Sequence, residues 1–130
     1  MPLEVHVVTP EREVWSGQAT MVIARGVEGE VGILSGHAPL LIRLAVGALR
    51  IRQDGTQDSA VVDGGFLHVT SQEGATRVDV LASRAEMASD IDVRAAEYRV
   101  EEMRRRLEQR DDAEVRAELA KAIARVQLAR

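Results

Sequence analysis

The sequence predicts an α+β fold in which an N-terminal antiparallel β-sandwich is followed by a C-terminal antiparallel two-helix hairpin. Three observations lead to this prediction. Apolar residues recur with a period of two up to about residue 85, turn signals containing glycine separate these runs, and from Ser89 onward the period becomes helical. We therefore divide the chain into a sandwich domain, residues 1–86, and a helical domain, residues 87–130.

The predicted strands follow one another at short intervals. The stretch LEVHVV at residues 3–8 alternates apolar and polar side chains, whereas ATMVIA at 19–24 is the continuous apolar run of a strand buried on both faces. Residues 48–82 read as a meander of further strands, and Trp15 is expected to pack in the core. Turns in the meander are predicted at Asp54-Gly55, Gly64-Gly65 and Glu73-Gly74. Short strands joined in this way are typical of an antiparallel sandwich.

Two amphipathic helices are predicted after the strands. Ser89 is the expected N-cap of the first helix, with Asp92 as the capping-box acid, and Asp111 with Glu114 forms the cap signature of the second. The first apolar stripe consists of Val93, Ala96, Val100, Met103 and Leu107, and the second of Val115, Leu119, Ala122, Val126 and Ala129. The second stripe is rich in alanine, which buries less apolar area than leucine. Because each buried CH₂ contributes about 0.8 kcal/mol, these alanines stabilise the contact between the helices only weakly. We therefore hypothesise a weakly packed hairpin that can leave the sandwich.

Composition excludes several classes of function. The net charge is −4 and aromatic residues make up 2% of the chain, so the sequence lacks the basic surface and the stacking platforms that bind nucleic acid. The acidic balance also opposes direct adhesion to anionic lipid. The absence of cysteine excludes disulfides and thiolate zinc ligands. No apolar run approaches the roughly 18 residues of a membrane span.

No catalytic motif is present. The sequence has neither a phosphate-binding glycine loop nor a nucleophile elbow. Its three histidines, His6, His37 and His68, are far apart in the chain, and we interpret His6 and His68 as ordinary strand residues rather than metal ligands. We therefore expect a protein that is not an enzyme, with no metal site and no cofactor.

Arginines form the densest charge feature of the chain. They are Arg99, Arg104, Arg105, Arg106 and Arg110 in the first helix and at its end. One interpretation is a solvated helix face, partly neutralised by nearby glutamates. The other is a basic stripe that docks on an acidic segment of a partner and associates more strongly at low salt.

Four segments of the sequence together carry a family resemblance. EGEVGILSGHAPLL at residues 28–41, DGGFLHV, DVLASRAEMASDIDVRAAE and RAELAKAIARV closely resemble the epsilon subunit of bacterial-type F-type ATP synthases. The resemblance implies a non-catalytic rotor subunit whose sandwich binds the gamma subunit and the membrane-embedded c-ring, coupling proton-driven rotation to ATP synthesis. It implies that the helical hairpin swings towards the alpha and beta subunits and restrains ATP hydrolysis.

The same resemblance implies a location and a contact surface. The subunit would lie at the cytoplasmic face of the bacterial inner membrane, held there only through the complex, or at the stromal face of a thylakoid if it is organelle-encoded. Glu30 and His37 match positions that face the loops of the c-ring, and Ser35 and Gly36 belong to the same turn. Ser35 stands where the family commonly has proline, which pre-sets φ, so the turn should be slightly looser.

Some bacterial members of the family bind ATP in the folded hairpin through Ile or Leu, Asp, two residues and Arg-Ala. Here Ile91 and Asp92 fit this motif, but Arg94 comes one residue early, about 100° around the helix. The second helix has Ile123 and Gln127 where such members carry arginines. The motif is therefore incomplete. A different interpretation of the whole chain is a free-standing β-sandwich binding module with a dimerising helical hairpin.

Overall fold

A computed structural model describes residues 2–129, which form eight strands, one short 3₁₀ helix and two α-helices. The strands are β1 (Leu3–Val8), β2 (Glu13–Ala19), β3 (Met21–Gly26), β4 (Gly29–Leu34), β5 (Leu40–Gln53), β6 (Thr56–Gln72), β7 (Ala75–Ala82) and β8 (Ala85–Met87). The 3₁₀ helix spans Ala88–Asp90, and the helices are α1 (Val93–Gln109) and α2 (Ala113–Ala129). The predicted sandwich followed by a helical hairpin is confirmed.

All eight strands belong to one sheet that folds over on itself. The strand order is β2-β1-β7-β6-β5-β3-β4, and β8 pairs with β6 outside this path. The long strand β6 contributes to both sides, because residues 65–72 pair with β7 and residues 60–62 pair with β8. The first layer therefore comprises β2, β1, β7 and the adjoining halves of β6 and β5. The second layer comprises β4, β3, β8 and the remaining halves of β5 and β6.

The corner between the layers lies at Gly64 and Gly65, within β6. Both glycines have positive φ, 104° and 124°, a conformation that side chains disfavour. The backbone of Gly65 lies so close to β7 that an added Cβ would be 2.1 Å from the carbonyl oxygen of Leu81. The predicted hairpin turn at Gly64-Gly65 is therefore wrong, because β6 passes through this point as a bent strand. The predicted turns at Asp54-Gly55 and Glu73-Gly74 are confirmed.

The sandwich core is aliphatic, and one of its strand pairs is parallel. The fully buried side chains of β1, β6 and β7 include Val5, Val7, Leu67, Val69, Val78 and Val80. β1 runs parallel to β7, with Val5 opposite Val78, whereas the other pairs are antiparallel. The sandwich is thus antiparallel with this one exception, which brings the first and the seventh strand side by side.

Two local predictions in the early strands have different outcomes. The run ATMVIA is not one strand, because β2 ends at Ala19 and β3 begins at Met21. In β3 the residues Val22 and Ala24 are buried and their neighbours less so, which is the alternation of a strand with one core face. Trp15 packs partly buried against the core, as predicted, and its Nε1 donates to Asp58 Oδ2 at 3.2 Å.

The helix caps differ from the predicted ones. Ser89 lies in the 3₁₀ helix, and Asp92 caps α1 by accepting a hydrogen bond from the Ala95 backbone N–H at 3.1 Å. Asp112 rather than Asp111 caps α2, because its side chain accepts from the Glu114 N–H at 2.9 Å. In each case the carboxylate next to the first helical residue makes the cap.

The hairpin covers the second layer through α2. α2 packs against β5 and β6 on one side and against α1 on the other, so that it lies between the sheet and α1. The buried residues of α1 are Ala96, Val100 and Met103, all members of the predicted stripe. Those of α2 are Ala122 and Arg125, of which only the alanine belongs to the predicted stripe.

Candidate docking surfaces

The first candidate surface is the β4 edge, which we define by the residues Glu30, Ser35, Gly36 and His37 and the strand between them. β4 is the last strand of the sheet order and pairs only with β3 among the described strands. Glu30 is exposed near its start, whereas His37 follows its end. At about 3.3 Å per residue, β4 separates Glu30 from Leu34 by about 13 Å. The two side chains therefore mark opposite ends of one edge rather than a single point.

The turn after β4 is held by specific hydrogen bonds. The N–H of Gly36 donates to the buried hydroxyl of Thr76 at 2.8 Å, and the N–H of His37 donates to the Leu34 carbonyl at 3.0 Å. Gly36 has φ +87°, which suits glycine. The side chain of His37 is anchored by a 2.7 Å hydrogen bond from Nδ1 to the Ala38 carbonyl. This turn is fixed to the sandwich despite the serine at position 35.

The second candidate surface is apolar and lies on the outer side of the first layer. We call it the apolar face and define it by Leu41, Phe66 and Leu81, which are 63%, 45% and 49% exposed. Phe66 lies directly opposite Leu81 across β6 and β7, and Leu41 pairs with His68, two residues beyond Phe66. Large apolar side chains gathered on adjacent strands typically mark an interaction site.

Beside the apolar face the same side of the sheet is charged. His6 lies between two carboxylates, with Nε2 2.7 Å from Glu4 Oε2 and Nδ1 3.1 Å from Glu13 Oε2. The hydrogen bond with Glu4, followed by that with Glu13, raises the pKa of His6. Arg77 adds ion pairs with Glu4 at 3.1 Å and with Asp79 at 3.0 Å. The apolar face thus has a charged rim on the side of β1.

The predicted arginine stripe divides into two parts. Arg99 lies 3.3 Å from Glu118 of α2 and 3.5 Å from Glu102, so it ties the two helices together. The hydrogen bond from Arg99 lowers the pKa of Glu118. Arg106 lies 3.8 Å from Glu102, four residues earlier in the same helix. The members of the stripe that make no ion pair with any described residue are Arg104, Arg105 and Arg110, all of them exposed.

A cleft of about 190 Å³ opens where α1, α2 and β8 meet. Ile91 and Asp92 line it, but Arg94 does not. Its cationic side chains include Arg99 and Arg125, and both are already paired with carboxylates of the chain. The structure therefore brings together two of the three residues predicted from the ATP motif and leaves the third outside.

The sequence analysis missed a buried ion cluster under α2. Arg125 is 8% exposed and its guanidinium contacts Asp63 and Glu86, on β6 and β8. A signal was available, since position 125 follows Ala122 by three residues and so lies on the same side of the helix as the predicted apolar stripe, although it is not a member of it. An arginine in that position needs a partner if it is buried.

Comparison with known proteins identifies relatives of the whole chain. Residues 2–88 match the family described as ATP synthase, Delta/Epsilon chain, beta-sandwich domain. The ATP synthase epsilon chain of Thermobifida fusca is 45% identical over 132 aligned residues, covering 98% of this chain and 92% of that protein. The ATP synthase epsilon chain of Frankia casuarinae is 49% identical, and 67% of this chain matches 99% of that shorter relative.

Structural comparison gives the same result. A chain in the cryo-EM structure of the Euglena gracilis mitochondrial ATP synthase, which contains OSCP, F1 and the c-ring, matches with a TM-score of 0.77 and 26% identity. The match covers 97% of this chain and 79% of that one. Within residues 2–129, neither helix is long and apolar enough to cross a membrane.

Proposed function

This chain belongs to the epsilon chains of the bacterial-type F-type ATP synthase, and we propose that it works in the central stalk through two docking surfaces on its sandwich and a restraining hairpin. It is an accessory subunit of the rotor, without a catalytic role. The observation that supports the proposal best is the relationship over almost the full length to the Thermobifida epsilon chain, sandwich and hairpin together. The division at residues 86 and 87 stays a prediction.

We assign the gamma subunit to the apolar face. The outer side of the second layer is covered by α2, whereas Leu41, Phe66 and Leu81 of the first layer are covered by no described residue of the chain. A subunit that transmits torque needs a stable attachment, and apolar side chains with a charged rim are the composition of such an interface. The charged rim would fix the orientation of gamma on the sheet.

The β4 edge is assigned to the c-ring. Glu30 and His37 supply a carboxylate and an imidazole, which can hydrogen-bond to polar loops. The hydrogen bond from Gly36 to Thr76 ties the turn to the core, so that force on His37 is passed to the sandwich. The exposed side chain of Leu34 adds an apolar contact next to it.

We propose that the hairpin restrains ATP hydrolysis by contacting the alpha and beta subunits. Arg104, Arg105 and Arg110 are exposed and unpaired among the described residues, so they are available to acidic segments of a partner. Arg99 has a different part, because its bond to Glu118 holds the two helices together. With these docking sites the subunit would lie at the cytoplasmic face of the bacterial inner membrane, and the thylakoid stromal face stays an alternative.

Replacing Arg104, Arg105 and Arg106 together by alanine should weaken inhibition of ATP hydrolysis without unfolding the sandwich. The readout is hydrolysis by a catalytic head lacking epsilon, titrated with the intact chain or the variant at low and high salt. We expect the variant to need more protein for half-inhibition, with a difference that shrinks as salt screens the charges. Equal inhibition at low salt would assign these arginines to a solvated helix face.

We propose that the hairpin docks without bound ATP. Arg94 lies outside the cleft, and three of the four cationic side chains that line it, those of Arg99, Lys121 and Arg125, are paired with carboxylates of the chain. Among the described residues this leaves Arg84 as the one lining cation without an ion pair, which is little positive charge for a triphosphate. Calorimetric titration of the isolated chain with ATP should therefore give no heat of binding at micromolar concentrations. A micromolar dissociation constant would contradict this.

Calorimetric titration with ATP would give no heat of binding for a free-standing binding module either. That alternative interpretation of the chain therefore needs a test of its own. A module of that kind with a dimerising hairpin would behave as a dimer in sedimentation without gamma. The epsilon assignment predicts a complex with gamma instead.

A further inference from the structure

Arg125 lies on the side of α2 that faces the sheet, where it is buried and makes four hydrogen bonds. Its Nη1 and Nη2 donate to Oδ1 and Oδ2 of Asp63, both at 2.9 Å, and its Nε donates to Glu86 Oε1 at 2.8 Å. Nη1 also donates to the Lys121 carbonyl of its own helix at 3.0 Å. Burial by itself lowers the pKa of Arg125, but the hydrogen bonds and charges of Asp63, then Glu86, outweigh this and raise it. The guanidinium is charged, and four of its five N–H donors are engaged.

The two carboxylates are held in place by the sheet. Asp63 lies at the corner of β6, where its N–H donates to the Arg84 carbonyl at 2.9 Å and its carbonyl accepts from Ser83 Oγ at 3.1 Å. Glu86 lies in β8 directly opposite Val61 of β6, two residues before Asp63. Alternate residues of a strand share a face, so both carboxylates point to the same side of the second layer. The acceptor for Arg125 is therefore preorganised by the sandwich.

The remaining contact between the hairpin and the sheet is small. Apart from Arg125, Ala122 is the one described residue of α2 that is buried. Val61 is buried beneath the hairpin but is not part of the sandwich core. A seam of this kind buries little apolar area. Replacing Arg125 by an uncharged residue would leave Asp63 and Glu86 side by side beneath the docked α2 without a cation, which disfavours the docked hairpin far more than loss of a surface ion pair would.

We propose that Arg125, Asp63 and Glu86 form a latch that holds the whole hairpin on the sandwich. Because α2 lies between the sheet and α1, and Arg99 ties α1 to α2 through Glu118, releasing Arg125 frees both helices. The latch is closed by carboxylates of the chain itself and needs no ligand. In its part concerning regulation this inference rests on the proposed function, since a released hairpin is the form that would reach alpha and beta.

The test is hydrogen exchange of the intact isolated chain, compared between α2 and the strands β1 and β7. In Arg125→Met we expect α2 amides to exchange at least tenfold faster, whereas the strand amides keep their wild-type rates. Arg116→Met is the matched control, because Arg116 is an exposed arginine of the same helix whose one ion pair within residues 2–129 is with Asp111. In that control, α2 should stay within twofold of wild type.

Two results would overturn the latch. One is wild-type exchange of α2 in Arg125→Met, and the other is equal acceleration in Arg116→Met, which would show that loss of any charge suffices. Asp63→Asn is a second variant that keeps the side-chain size, and it should accelerate α2 in the same direction but less, because Glu86 still binds the arginine.

Inhibition of ATP hydrolysis separates the latch from the proposed function. If the hairpin restrains hydrolysis when released, Arg125→Met should half-inhibit a catalytic head lacking epsilon at a lower concentration than wild type. Fast exchange with unchanged inhibition would leave the latch standing and contradict the restraining role. Unchanged exchange together with normal inhibition would contradict the latch alone.

Discussion

Replacing Gly65 by alanine should destabilise the sandwich by more than about 3 kcal/mol, or prevent folding altogether. Two costs add at this position. The φ of +124° disfavours any side chain, at about 1–2 kcal/mol. In addition, the new Cβ would lie 2.1 Å from the Leu81 carbonyl oxygen and 2.8 Å from the Ala82 Cα, so β7 would have to move away from β6. Chemical denaturation of the isolated chain measures the change in the free energy of unfolding.

Gly55→Ala is the matched control for this prediction. Gly55 also has a positive φ, +77°, but nothing lies within 4 Å of the Cβ that alanine would add. It should therefore cost only about 1 kcal/mol. If Gly65→Ala and Gly55→Ala lower the free energy of unfolding equally, the close approach of β6 and β7 at Gly65 adds nothing to the cost of the substitution. The described packing at the corner of β6 would then be wrong.

Placing a charge on the apolar face should abolish binding to gamma. In Phe66→Asp the carboxylate would have to be desolvated against an apolar partner without a cation, so we expect the affinity for gamma to fall at least 100-fold, or about 2.7 kcal/mol. Phe66 is 45% exposed in the isolated chain, so the change should hardly alter folding. Co-purification with gamma followed by titration measures the loss.

Tyr98→Asp is the control, since Tyr98 is an exposed aromatic residue, at 64%, on the hairpin rather than on the apolar face. It should bind gamma as the wild type does. Full binding by Phe66→Asp would show that gamma docks elsewhere and that the apolar face belongs to another partner.

The features that the sequence could predict are those that depend on residues close together along the chain. The alternating strand at residues 3–8, the two helices and the stripe of Val100 and Met103 depend on local periodicity, and they were predicted correctly. The bend at Gly64-Gly65 was not, because two glycines read locally as a hairpin turn. That β6 continues through these glycines is seen only in the structure, where the residues before them pair with β8 and the residues from Gly65 onward pair with β7.

The candidate sites were limited in the same way. The residues of the β4 edge were found through a contiguous motif, whereas the latch joins Asp63 and Arg125, which are 62 positions apart. No pattern in one sequence pairs such residues, although an arginine beside an apolar stripe indicates that a partner is needed if the side chain is buried. The arginine stripe was also treated as one feature, and only the packing of α1 on α2 separates Arg99 from Arg104 and Arg105.

The central claim is that the sandwich attaches the subunit and the hairpin restrains hydrolysis. The most direct measurement is ATP hydrolysis by a catalytic head lacking epsilon, after addition of either the intact chain or a chain ending at Ala88. The shorter chain keeps β1 to β8, and the Frankia relative of similar length makes it a reasonable unit. We expect both forms to bind the head and only the intact chain to lower the rate. Failure of both forms to bind, or equal inhibition by both, would contradict the central claim.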